Sequence, residues 1–154
     1  MEQDVDILLS FTGFHDPYYK GLIDSEEQPG PILYLLKIRK FDRVYLFDTD
    51  TTRSISIDTQ KAINALYPDI LVQVLDTGII DPTNYKNIIS HIKQSVQSLL
   101  ENYEFARLYI SVASGTPHIH ACWLLLAASG EIPAKILHVR PPRFVTKDAP
   151  AVSE

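Results

Sequence analysis

Cysteine is almost absent from this 154-residue sequence, with Cys122 the single one. An intrachain disulfide is therefore impossible, and so is a cysteine-based zinc cluster. Such usage fits a reducing, cytoplasmic setting. Basic charge is also scarce: 14 Lys and Arg stand against 19 Asp and Glu, for a net charge of −5. Binding long nucleic acid over a broad face needs a basic footprint that this chain lacks. A small anionic ligand in a local cleft stays compatible with that charge. No apolar run approaches the roughly 20 residues that cross a bilayer, so no membrane partner is expected. The opening Met1-Glu2-Gln3-Asp4 is acidic and leads straight into a strand-like segment, unlike a secretory leader. There is no G-x-G-x-x-G, no Walker lysine loop and no G-x-S-x-G elbow, which disfavours a nicotinamide enzyme, a P-loop NTPase and an α/β-hydrolase. Internal repeats and low-complexity tracts are missing too.

What remains is an ordinary globular composition, 45% hydrophobic and 21% charged, at a length suited to one domain. Val5–Phe11, Arg43–Phe47, Ile70–Leu75, Arg107–Val112 and Lys135–Val139 are short apolar runs rich in β-branched and aromatic residues. They predict strands covered on both faces. Helical patterns lie between them. Gly30-Pro31 opens one with Ile32, Leu35 and Leu36 inward, and Asp58 caps another carrying Ala62, Ile63 and Leu66. Asp81-Pro82 caps a third, whose stripe runs through Ile88, Ile89, Ile92, Val96, Leu99, Leu100 and Tyr103. Thr116-Pro117 opens the last, with Ile119, Cys122, Trp123, Leu126 and Ala127 inward and Gly130 and Pro133 closing it.

Repeated strand–helix alternation predicts a three-layer α/β sandwich with a mainly parallel sheet and right-handed crossovers. The default order sets the first and fourth strands side by side with connections leaving in opposite directions. Open α/β sheets bind ligands at that switch point, outside the carboxyl ends of the strands. The loops after Phe11 and after Val112 should line the cleft. Residues 1–140 then form the folded domain, and 141–154, poor in large apolar residues, form a linker or edge extension.

Both loops carry suitable chemistry. The first runs Thr12-Gly13-Phe14-His15-Asp16-Pro17-Tyr18-Tyr19 and on to Pro29, about 18 residues where 2–6 are usual. Gly13 lets backbone approach a phosphate, and Thr12, His15 and the tyrosine pair can bind or stack on a nucleotide. The alternative for this stretch is a mobile surface loop with a few turn residues. The second, Ala113-Ser114-Gly115-Thr116-Pro117-His118, feeds a helix N-terminus, a natural anion cradle or simply a capping turn. After the second strand, Asp48-Thr49-Asp50-Thr51-Thr52-Arg53 offers carboxylates for a metal or ribose hydroxyl and an arginine for a phosphate. Exposed loop acids are the commoner outcome there. His118 and His120 fall about 200° apart on a helix, so they cannot share a metal. His118 lies nearer the cleft, and His120 packs. No metal site or cofactor is expected.

Ile110-Ser111-Val112-Ala113-Ser114-Gly115-Thr116-Pro117, His120–Gly130, His138–Phe144, Ser10–Tyr18 and Gly30–Leu33 together resemble the CARF domain across essentially the whole chain. The similarity is to CARF domains fused to adenosine deaminases in type III CRISPR loci and to sensors of sigma-54-dependent RNA-repair regulators. The resemblance implies a Rossmann-like fold and a homodimer binding a cyclic oligoadenylate, tetra- or hexa-adenylate, across its interface, with an effector domain responding. It implies Thr12, Gly13, His15, Asp16, Ser114, Gly115, Thr116 and His118 as ligand-binding residues, with Thr49 and Thr51 from the second-strand loop. Standalone members include ring nucleases; in that alternative Thr12, His15, Ser114 and His118 would be catalytic, without metal. Another alternative is a sensor of RNA ends. With no effector-like sequence after Glu154, the expectation is either an excised sensor or a standalone one.

Overall fold

The computed structural model describes residues 4–20, 27–140, 147 and 150–154. Its central sheet has six strands: β1 (Val5–Phe11), β4 (Arg43–Asp48), β5 (Leu71–Asp76), β6 (Ala106–Ser111), β7 (Ala134–Val139) and β8 (Val152–Ser153), in the order β5-β4-β1-β6-β7-β8. All neighbours are parallel except β8, which runs antiparallel to β7 through His138↔Ser153 and Val139↔Val152. β1 lies between β4 and β6, in register Phe11↔Phe47 on one side and Leu9↔Ile110 on the other. The chain leaves β1 toward β4 and leaves β6 toward β7, so the expected switch point falls between β1 and β6.

The alternating side chains of β1 divide the core. Ile7, Leu9 and Phe11 pack with α3 (Tyr85–Leu100) and α4 (Pro117–Ala128), where Ile88, Ile92, Val96, Ile119 and Trp123 are buried. Leu8 packs on the opposite face with α1 (Pro31–Ile38) and Ile63 of α2 (Arg53–Leu66). Helices thus cover both faces, the arrangement that lets β1 and β4 be apolar nearly throughout. Trp123 is fully buried and meets Phe11 and Phe47 edge-on at 5.8 and 5.3 Å. Truncating a ring of this kind costs about 3–5 kcal/mol.

Three expectations need correction. The loop after β1 is not unstructured: Tyr18–Lys20 (β2) and Glu27–Pro29 (β3) pair as an antiparallel ribbon. Asp58 does not start α2. The turn Thr49–Thr52, closed by the Thr49 amide donating to the Thr52 hydroxyl at 2.9 Å, begins the helix at Arg53 and leaves Asp58 exposed on its surface. The inward face of α2 is Ser56, Thr59 and Ile63, and Leu66 is half exposed. Asp81 is likewise not a helix cap. Its carboxylate accepts from the Thr83 amide at 2.9 Å within a turn, and Asn84 caps α3 by accepting from the Asn87 amide at 3.1 Å. Gly30-Pro31 and Thr116-Pro117 open their helices as the sequence predicts.

Candidate functional site

The carboxyl ends of β1 and β6 deliver two loops into contact. Thr12 continues β1, its amide donating to the Phe47 carbonyl at 3.3 Å and its hydroxyl 2.5 Å from that of Ser56 on α2. Gly13 follows, and a Cβ there would sit 3.0 Å from the Gly115 nitrogen, so glycine lets the loops close on each other. Gly115 itself has φ +103°, a conformation that side chains disfavour. Thr116 then caps α4: its hydroxyl accepts from the Ile119 amide at 3.2 Å and donates to the Pro82 carbonyl at 3.2 Å. The His120 ring holds the turn from behind, Nε2 lying 2.9 Å from the Ser114 carbonyl oxygen.

These loops enclose a cleft of about 240 Å³. Of the residues the sequence singled out, Thr12, Gly13, His15, Thr49, Thr51, Ser114, Gly115 and Thr116 line it, joined by Phe14, Pro31, Thr52, Pro82, Ala113 and Ile119. The wall is hydroxyl-rich and, among the described residues, carries no lysine or arginine. The Ser114 hydroxyl is buried there beside the Asp16 carboxylate, without a hydrogen bond of good geometry among the described residues. A buried hydroxyl beside the N-terminal amides and positive dipole end of α4 is a donor set for an anion. No curated protein matches the sequence.

Two expected residues stand outside this lining. Asp16 is buried in the wall behind the cleft. Its carboxylate accepts from the Gly13 amide at 2.9 Å and from the Ile32 amide at 3.3 Å, tying the cleft loop to the first turn of α1. Burial pushes its carboxyl above the ordinary 3.8, opposed by those amides and by the neighbouring Ser114 hydroxyl. His118 leans on Tyr85, ring centres 4.9 Å apart, away from the cleft. His15 sits at the rim, edge-on to Tyr19 at 5.5 Å. Among the described residues no histidine is hydrogen-bonded to a cleft hydroxyl, so Thr12, His15, Ser114 and His118 form no preassembled acid–base pair.

The second-strand loop also departs from expectation. Asp48 is buried and Arg53 bridges it to Asp76, with Nε–Oδ2 3.0 Å and Nη2–Oδ2 2.7 Å. Burial raises the Asp48 carboxyl, opposed by Arg53, while the same guanidinium holds Asp76 below its usual value. Arg53 is thereby engaged by carboxylates and turned from the phosphate role. Among the described residues no group of three His, Cys, Asp or Glu side chains is placed to hold a metal. No helix described is long and apolar enough to cross a membrane.

A six-stranded, mainly parallel sheet, helices on both faces and a hydroxyl-lined cleft at the β1/β6 switch point define a Rossmann-like domain of the CARF type. The solved structure of Enterococcus italicus Csm6 bound to cyclic hexa-2′-fluoro-hexa-dAMP has this fold, with TM-score 0.77 and 19% identity over 96% of this chain. The chain covers 36% of that Csm6 chain. The family model described as RtcR, regulator of RNA terminal phosphate cyclase, matches residues 31–153, and the chain belongs to that family.

Proposed function

We propose that the chain is a sensor for cyclic oligoadenylate, tetra- or hexa-adenylate, in a type III CRISPR antiviral effector, binding the ring across a homodimer in the cytoplasm. The observation that carries this reading is the cradle itself: two loops in contact at the switch point, with the buried Ser114 hydroxyl beside a helix N-terminus. A phosphodiester supplies the acceptor that such a donor set lacks. Thr12, Gly13, His15, Thr49, Thr51, Ser114, Gly115 and Thr116 face it in this reading, and Asp16 positions Gly13. The cyclic hexanucleotide bound to the Csm6 structure supports the choice of ligand class.

The outer face of α4 supports the dimer. Ala121, Leu124, Leu125 and Ala128 form an exposed stripe opposite the buried Cys122, Trp123 and Leu126. A helix apolar on all sides belongs in a covered position. Because α4 opens at the cleft, pairing two copies along it would set both cradles beside one twofold axis, which suits a symmetric ring. Residues 1–140 are the sensing part, and 141–154, whose Val152–Ser153 return to the sheet as β8, are an extension toward an effector. Ligand shifts such an assembly only by binding one state better. Isothermal titration with cyclic tri-, tetra- and hexa-adenylate tests the reading: saturable binding of one ring is expected, and no binding of any would sink it.

The family match favours one second reading, a sensor of RNA ends bearing a cyclic phosphate. One terminal phosphate fits the same cradle. Competition decides: a short RNA with a 2′,3′-cyclic phosphate end that displaces the ring, and binds more tightly, reverses the order of the two readings.

A further inference from the structure

The inward face of α2 carries two hydroxyls, Ser56 and Thr59, both 0% exposed, where a core-facing helix ordinarily carries apolar residues. A buried hydroxyl proton needs an acceptor. Thr59 finds one within its own helix, donating to the Ile55 carbonyl at 2.8 Å, the common escape for a helical hydroxyl. Ser56 makes no such bond among the described residues. Its Oγ lies instead 2.5 Å from Oγ1 of Thr12, which is 44 positions away on the loop after β1.

Counting protons gives this contact a direction. Each hydroxyl carries one proton and two lone pairs. Ser56 is buried and does not line the cleft, so among the described residues the Thr12 oxygen is the side-chain acceptor it meets. Thr12 does line the cleft, where water or a ligand can take its proton. Were Thr12 to donate to Ser56, the Ser56 proton would be left in the core without an acceptor, which is costly. Donation from Ser56 to Thr12 satisfies both protons. The Thr12 amide is already tied to the Phe47 carbonyl at 3.3 Å, so its backbone is held as well. Accepting one hydrogen bond also polarises a hydroxyl and strengthens the bond it donates. Thr116 makes the contrast: its proton is spent on the Pro82 carbonyl at 3.2 Å.

We propose that Ser56 is a positioning residue for the cleft: it donates to Thr12, turns the Thr12 proton outward and makes Thr12 a fixed donor to a phosphate oxygen. The inference rests on the phosphodiester reading of the cradle and adds a residue that itself touches no ligand. A double-mutant cycle on the full chain tests it, with cyclic hexa-adenylate titrated into each variant. Ser56→Ala should weaken binding about threefold to tenfold, and Ser56→Cys, a weaker donor of similar size, should fall between it and the wild type. Thr12→Val should weaken binding at least as much as Ser56→Ala. In the Thr12→Val background, Ser56→Ala should add less than about twofold, because its effect passes through the Thr12 hydroxyl.

Equal losses from Ser56→Ala in both backgrounds would make Ser56 merely structural and overturn the proposal, as would wild-type affinity in Ser56→Ala. A urea melt of each variant separates lost binding from lost fold, and Ser56→Cys carries the cycle if Ser56→Ala does not fold. Neutron diffraction from deuterated wild-type crystals reads the direction without ligand. Deuterium on Ser56 Oγ aimed at Thr12 is expected; deuterium on Thr12 Oγ1 aimed at Ser56 overturns the proposal whether or not the ring binds. Deuterium on Ser56 in a protein that binds no ring sinks the sensor reading and keeps the directed donor.

Discussion

Ser114 is only 4% exposed, and its hydroxyl lies beside the Asp16 carboxylate without a hydrogen bond of good geometry among the described residues; leaving a buried hydroxyl poorly satisfied costs about 1–3 kcal/mol. Ser114→Ala should therefore leave stability unchanged or raise it by up to about 1 kcal/mol, while weakening ring binding roughly tenfold or more. Urea unfolding and titration calorimetry on the same sample read both effects. Gly30 has the opposite character, because a methyl there collides with the His15 carbonyl oxygen. Gly30→Ala should destabilise by about 1–3 kcal/mol or more, visible as a lower urea midpoint. Asp16 adds a pH signature. Its folded-state value is raised above 3.8, so the native state holds the proton more tightly than the unfolded chain. The contribution is favourable at low pH and is lost as pH rises from 3.8 through the raised value. Stability of the wild type relative to Asp16→Asn should accordingly fall over that window and then level off; a flat difference would refute it.

Among the elements, α4 joins the most functions, since its N-terminus forms the cradle, its inner face is core and its outer face is exposed Leu124 and Leu125. Leu125→Glu, at a position 57% exposed, should leave folding intact and convert a dimer to monomer in light scattering. An unchanged mass would move the interface elsewhere. The sequence made this helix legible because Thr116-Pro117 is a cap and Gly130, at φ +80°, an end. β1, β4 and β6 were legible because parallel strands buried on both faces are continuous apolar runs; β5, expected to be covered on both faces as well, is an edge strand with Leu71 and Gln73 exposed. The β2–β3 ribbon was not. Its strands are three residues each, half exposed and without alternation, and Pro29 at the pairing position argues against a strand. Within the site, Thr12 and Ser114 follow from strand ends and turn chemistry. The inward turn of Asp16 and its tie to Ile32 could not be read, because a contact across 16 positions leaves no local trace. The same holds for Arg53, whose carboxylate partners come from two different strands.

For the whole molecule, an acidic protein proposed to bind a polyanion makes a clear demand on mechanism. Among the described residues the cleft lining carries no lysine or arginine, so affinity should come from amides, hydroxyls and stacking. Ring binding should weaken by less than about tenfold between 50 and 200 mM salt, where basic phosphate-binding surfaces lose roughly 10³–10⁵. Titrations across that range decide it, and a steep slope would point to cationic side chains outside the cleft. The two borders of the central sheet have a further consequence. Among the described residues the sheet is bordered by β5, beside β4, and by β8, which lies beside His138 and Val139 of β7. Strand borders are templates for runaway aggregation, and very short border strands blunt it. At two residues, Val152–Ser153, β8 offers a neighbour little to pair with, so two copies meeting through β5 would turn only these short borders outward. Such a pair is a poor seed for a fibre through this sheet.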